Sequence, residues 1–135
     1  MSAQEVQTLI REGVPMAEDI DLRIDLVDGH RALARVPFSE RLVRPGGTLS
    51  GPVQMALGDA AMYAVVLGAL GRVEMAVTSQ LNINFLMRPA PVDLLAEARI
   101  LRLSRRQAVC EVSLYSAGQE DQLVAHVTGT YALPG

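Results

Sequence analysis

The sequence predicts an α+β fold, an antiparallel sheet of about six strands wrapped around one long central helix. Three features carry that expectation. Between Pro45 and Gly71 the only ionisable acid or base apart from Tyr63 is Asp59, and the run from Val53 to Leu70 is rich in Ala, Leu, Val and Met, which describes a helix apolar nearly all round. Strand-like stretches precede and follow it. Its small residues, Ala56, Gly58, Ala60, Ala61 and Ala64, let a backbone lie close against a curved sheet.

In chain order, Ala3 to Glu12 places Val6, Leu9 and Ile10 on one face, so a short amphipathic helix ends at Gly13. From Ile20 the period falls to two, with Ile20, Leu22, Ile24 and Leu26 alternating against Asp21, Arg23 and Asp25. Asp28-Gly29 then turns the chain into a second strand, Arg31 to Val36, with Leu33 and Val36 as its apolar positions. A loop from Ser39 to Ser50 carries Pro45, Gly46 and Gly47. Ser50-Gly51-Pro52 starts the long helix, since serine or glycine caps and proline suits the first turn. Four strand-like runs follow, roughly Met75 to Met87, Asp93 to Ser104, Gln107 to Ser116 and Gln122 to Leu133, separated by Pro89 and Pro91, by Arg105-Arg106 and by Ala117-Gly118. In the third of these, Ala108, Cys110, Val112 and Leu114 share the apolar face.

At 135 residues, half of them apolar, the chain is expected to form one domain, with residues 1–18 as an N-terminal helix and lead-in. Cys110 has no partner for an internal disulfide, and Glu5, Arg11, Glu12, Glu18 and Asp19 interrupt any leader-like apolar run, so a cytoplasmic protein is expected. A net charge of -3, no tryptophan and few aromatics argue against nucleic acid as the main partner. The apolar helix is almost long enough to cross a bilayer, but it carries Gln54 and Asp59 and lies among alternating strands, so burial in a core is expected rather than a membrane.

A carboxylate in the middle of an apolar helix needs hydrogen-bond donors, a cation or a shifted pKa. Two readings of Asp59 stand: a carboxylate at a subunit seam satisfied by backbone or hydroxyl groups, or a working acid. Other chemistries lack their residues. His30 lies on a hairpin turn and His126 in the last strand, and there is no Gly-x-Ser-x-Gly, no zinc-type Cys or His spacing and no phosphate-cradling loop ending in Lys-Ser or Lys-Thr. Neither a metal nor a cofactor is expected.

Gly47-Thr48-Leu49-Ser50-Gly51-Pro52, followed six residues later by Asp59, resembles the loop and helix of phenylacetic-acid-type (PaaI-like) hotdog thioesterases. Thr78 to Ala90, ending in Arg88-Pro89-Ala90, resembles the strand after that helix, and the likeness runs from about Gly29 to Ala132. The resemblance implies a hotdog fold and hydrolysis of an acyl-CoA, with coenzyme A as part of the substrate. It places Asp59 on the acid that acts as nucleophile or as general base toward water, and Gly51 on the glycine whose backbone N–H polarises the thioester carbonyl. A helix N-terminus suits that second role, because its free N–H groups and positive dipole end favour a developing oxyanion.

The resemblance also puts Thr78 on a hydroxyl that holds the attacking water from the neighbouring subunit; an ordinary strand threonine is the alternative. Ser50, Arg44, Asn82 and Met62 become candidate substrate contacts, with Met55 and Tyr63 beside Met62 as pocket-shaping or plain core residues. Arg105 and Arg106 would meet the phosphate-bearing end of coenzyme A, or simply charge a hairpin tip; Arg88 is a further candidate.

Two departures touch this neighbourhood. The family's His-Gly-Gly is Ser50-Gly51-Pro52 here, so Pro52 deletes one N–H, and the asparagine expected early in the loop is replaced at or near Arg44. Arg44 could pair with Asp59, meet a substrate carboxylate or face solvent. The departures support a rival reading, a non-catalytic acyl-CoA-binding module. A hotdog hydratase ranks third, since no histidine accompanies Asp59. The resemblance further implies a homodimer that closes an exposed strand edge, and commonly a homotetramer.

Overall fold

The computed structural model describes residues 1–73 and 75–134. Its elements are α1 (Ala3–Gly13), α2 (Pro15–Asp19), β1 (Arg23–Asp28), β2 (Arg31–Val36), β3 (Val43–Arg44), β4 (Thr48–Leu49), α3 (Gly51–Leu70), β5 (Val77–Phe85), β6 (Leu94–Leu103), β7 (Gln107–Ser116) and β8 (Leu123–Ala132). β3 and β4 form a minor two-stranded ladder, and the other six strands make one antiparallel sheet in the order β1-β2-β6-β7-β8-β5. The α+β architecture expected from the sequence is the one observed: a six-stranded sheet around one long helix.

α1 begins in a capping box, in which the Ser2 hydroxyl accepts from the Glu5 N–H and the Glu5 carboxylate accepts from the Ser2 N–H. Its Val6 and Ile10 are fully buried. α3 starts with Ser50 as N-cap and Pro52 in the first turn, as its sequence signals imply, and ends at Gly71, whose φ of 80° is reached easily only without a Cβ. The helix packs most extensively on β2 and β6, then on β7. Its approach is close: a Cβ added at Gly58 would lie 3.0 Å from Val127 Cγ2. By length and composition α3 could cross a membrane, but most of it is buried inside this fold as the core helix.

Two elements differ from expectation. The strand expected from Ile20 starts only at Arg23, because a further short helix, α2, occupies Pro15–Asp19. Pro15 stands at its first position, where a missing N–H costs nothing. Asp21 then takes a left-handed φ of 56°, which turns the chain into β1 while Ile20 and Leu22 remain buried. Leu33 and Val36 do not share a face, because an odd and an even position in one strand point opposite ways. Ala32, Ala34 and Val36 are the fully buried set, and two alanines there leave room for α3.

Candidate active site

Asp59 sits half-buried just before the midpoint of α3, eight residues past Gly51, and its Oδ1 receives two hydroxyl donors. Thr78 Oγ1 donates at 2.7 Å and Tyr131 Oη at 2.9 Å. Tyr131 Oη also lies 3.3 Å from the Asp59 carbonyl oxygen. With both donors on Oδ1, Oδ2 has no protein donor among the described residues. The carboxylate is therefore anchored by one oxygen and open at the other.

The sheet supplies the two donors as one unit, since Thr78 of β5 and Tyr131 of β8 are directly opposed across their ladder. Simple alternation would not turn Thr78 toward α3, because Leu81 and Ile83 pack on the core and place Ser79, not Thr78, on that face. A register shift between Thr78 and Gln80 inserts Ser79 as an extra residue and reverses the parity. Thr78, expected to hold the attacking water from the neighbouring subunit, donates here to the Asp59 of its own chain.

Tyr131 is the participant that sequence reasoning missed. It is 4% exposed, and its ring stacks on Tyr63 at a centroid distance of 5.7 Å. Burial, and then the Asp59 charge, push its hydroxyl well above the ordinary tyrosine range, against an opposing contribution from Thr78. It therefore stays protonated and keeps donating. The sequence signal for it was slight, a tyrosine ending the inward parity of Val127 and Gly129.

Asp59 opens on an apolar cavity of about 300 Å³, walled by Tyr63, Tyr131, Ala56 and Ala60 and by Val14, Met16, Ala17, Ile20 and Leu22 of the α2 segment. Gly51 lies two turns away, about 12 Å along the axis at the helical rise. Pro52 has no N–H, the Val53 N–H donates to Ser50 Oγ, and the Gln54 N–H donates to the Ser50 carbonyl. Gly51 thus has the one uncommitted N–H of the first turn among the described residues. It lines a second cleft, of about 480 Å³, with Arg44, Thr48, Gln54, Phe85 and Arg88. In that cleft Gln54 Nε2 donates to the Leu49 carbonyl at 3.3 Å while its buried Oε1 has no partner among the described residues.

The remaining candidates divide. Ser50 is the helix cap, and Arg44 is exposed at the Gly51 cleft rather than paired with Asp59. Arg105 and Arg106 are exposed on the β6–β7 turn, at the sheet end that also carries the Thr78–Tyr131 pair, because Ala108 of β7 is opposed to Tyr131. Asn82 and Met62 are not brought to the acid. Asn82 faces away from α3 on the exposed side of β5, since Leu81 and Ile83 take the inner face. Met62 is fully buried, with Sδ and Cε against Gly129, so it is core. No cluster of three or more His, Cys, Asp or Glu side chains able to hold a metal exists among the described residues.

An acid on a buried helix, held by the surrounding antiparallel sheet and facing an apolar cavity, defines a thioester hydrolase of the hotdog class. The chain belongs to the thioesterase superfamily, whose sequence profile matches residues 46–122. A crystal structure from Silicibacter sp. TM1040, provisionally named a thioesterase, is 35% identical and superposes with a TM-score of 0.87, covering 100% of this chain and 93% of that one. A provisionally named esterase of Saccharolobus solfataricus is 28% identical over 134 residues, 98% of this chain and 86% of that protein. The PaaI protein from the phenylacetic acid degradation operon of E. coli shares the fold, with a TM-score of 0.82 at 19% identity over 98% of this chain and 94% of that one.

Proposed function

We propose that the protein is a cytoplasmic acyl-CoA thioesterase, hydrolysing an aryl- or medium-chain acyl-CoA to the free acid and coenzyme A without a cofactor. One observation carries the reading: Asp59 is tied down through Oδ1 by Thr78 and Tyr131, while Oδ2 is left to act beside an apolar cavity. On one route Oδ2 takes a proton from water as the water oxygen attacks the thioester carbon; on the other Oδ2 attacks directly and water later cleaves the acyl-aspartate. In both, the carbon–sulfur bond breaks, and the thiolate leaves and is protonated to coenzyme A.

The carbonyl oxygen needs a donor as charge develops on it. Gly51 fits, but about 12 Å separates it from the acid of its own helix. Two copies related by a twofold axis, with their α3 helices antiparallel, bring Gly51 of one against Asp59 of the other. A homodimer is therefore the smallest complete unit, and a homotetramer of paired dimers is the form we favour. β5 suits the dimer seam, since it ends the sheet and pairs only with β8. Arg44 and Arg88 beside Gly51, and Arg105 and Arg106 on the β6–β7 turn, are the groups for the charged end of coenzyme A.

The rival acyl-CoA-binding module rests on the Pro52 departure. That support weakens, because proline removes only its own N–H and leaves the Gly51 donor free. Purified protein is expected to release thiol from a panel of acyl-CoAs, and Asp59→Asn to lower turnover by at least ~100-fold with the fold intact by circular dichroism. Binding of acyl-CoA with no thiol release above background in the parent would favour the binding module instead, and equal measurable rates in parent and variant would remove Asp59 as the working acid.

A further inference from the structure

The cavity facing Asp59 is not the largest opening on that side of the molecule. A groove of about 680 Å³ runs under α1, lined by Leu9, Glu12, Val14 and Tyr63 among others. Val14 and Tyr63 line both spaces. They stand between a small apolar chamber at the acid and a larger, more polar groove that includes Glu5, Glu12 and Arg72.

We propose that Val14, at the joint between α1 and α2, together with the Tyr63 ring, is the end wall that sets the longest acyl chain accepted, and that the group admitted is uncharged at its far end. This rests on the thioesterase reading. With the reacting carbon at Asp59, the acyl group enters the chamber and runs toward Val14. A chamber of about 300 Å³ is at the small end of ligand pockets, enough for an acyl group and not for a whole coenzyme. Among the described residues its only charged wall residue is Asp59, so a terminal carboxylate would enter apolar surroundings with no cation among them to meet it.

Val14 is the side to alter. Tyr63 stacks on Tyr131, which holds the acid, so changing Tyr63 would disturb the chemistry as well as the wall. Val14 has extended backbone, φ -110° and ψ 114°, is half-buried, and touches the site only as a wall. Trimming it joins chamber to groove, and enlarging it shortens the chamber. Each methylene that finds apolar cover is worth about fourfold in kcat/KM, so two more admitted methylenes are worth about 15-fold.

The test is the chain-length profile of kcat/KM for parent, Val14→Ala and Val14→Phe on straight-chain acyl-CoAs, with one ω-carboxyacyl-CoA beside its neutral counterpart. The parent should show an optimum followed by a fall. Val14→Ala should raise the ratio of long-chain to short-chain kcat/KM at least tenfold, Val14→Phe should lower it, and the ω-carboxyacyl substrate should be the poorer of its pair. Superimposable profiles in the folded variants, or a shift in the same direction for both, would overturn the end-wall assignment. Equal rates on the ω-carboxyacyl substrate and its counterpart would overturn the charge selectivity. The thioesterase reading fails separately, by absence of Asp59-dependent hydrolysis in the parent protein.

Discussion

Replacing Tyr131 by phenylalanine isolates one hydrogen bond. The ring is 4% exposed and stacked on Tyr63, and phenylalanine keeps both the packing and the stack while removing only the hydroxyl that donates to Asp59 Oδ1 at 2.9 Å. A hydrogen bond to a charged group is worth about 1.5–3 kcal/mol, and if that aim is needed in the transition state kcat should fall by roughly 10–100-fold. Thr78 Oγ1, at 2.7 Å on the same oxygen, still anchors the carboxylate, so activity should not vanish. Thiol release measured for the parent, Tyr131→Phe, Thr78→Val and the double variant closes a cycle. The two changes should couple, because either donor partly replaces the other. Since the Tyr131 proton stays on far above neutrality, the pH–rate curve of the parent should have no limb belonging to it. A kcat for Tyr131→Phe within twofold of the parent would refute the idea that anchoring Oδ1 aims Oδ2.

Two further outcomes are expected. At Gly129 an added Cβ would lie 2.7 Å from Met62 Cε and 2.9 Å from the Gln80 carbonyl oxygen, and the second of these is backbone that cannot swing aside. Gly129→Ala should therefore cost about 1–3 kcal/mol, lowering Tm by roughly 3–12 °C in a thermal melt; an unchanged melt would contradict the close β8–β5–α3 packing. Asp93 accepts from the Phe38 N–H and from Arg35, each at 2.9 Å, and against the cost of burial these hold its carboxyl below the ordinary aspartate value. A depressed folded pKa gives stability that is complete above about pH 4 and is lost as the pH falls through the depressed value. The Tm difference between parent and Asp93→Asn should accordingly shrink in acid, and a constant offset across that range would remove Asp93 as its source.

What the sequence disclosed was whatever repeats along the chain. The apolar run of α3, its Ser50 cap and Pro52 start, and the alternation of Ala108, Cys110, Val112 and Leu114 in β7 depend on neighbours in sequence, and the structure has each where expected. Asp59 stood out for the same reason, as a charge where the local pattern allows none. Tyr131 did not, because its role depends on being opposed to Thr78 across a ladder joining residues far apart in the chain. The inward turn of Thr78 was equally hidden, since the extra residue Ser79 breaks the alternation by which a strand is read. α2 escaped notice because five residues are too few to show a helical period. Met62 misled in the other direction: helical spacing alone does not tell a residue facing the sheet from one facing a cavity.

The inserted Ser79 ties the setting of Asp59 to the outermost strand of the sheet. β5 is held along one side only, and sliding it by a single residue against β8 would swing Thr78 outward and strip the acid of a support without disturbing the oily centre of the molecule. The hydrogen bonds that β5 makes to β8 therefore set the acid's support as well as the edge of the sheet.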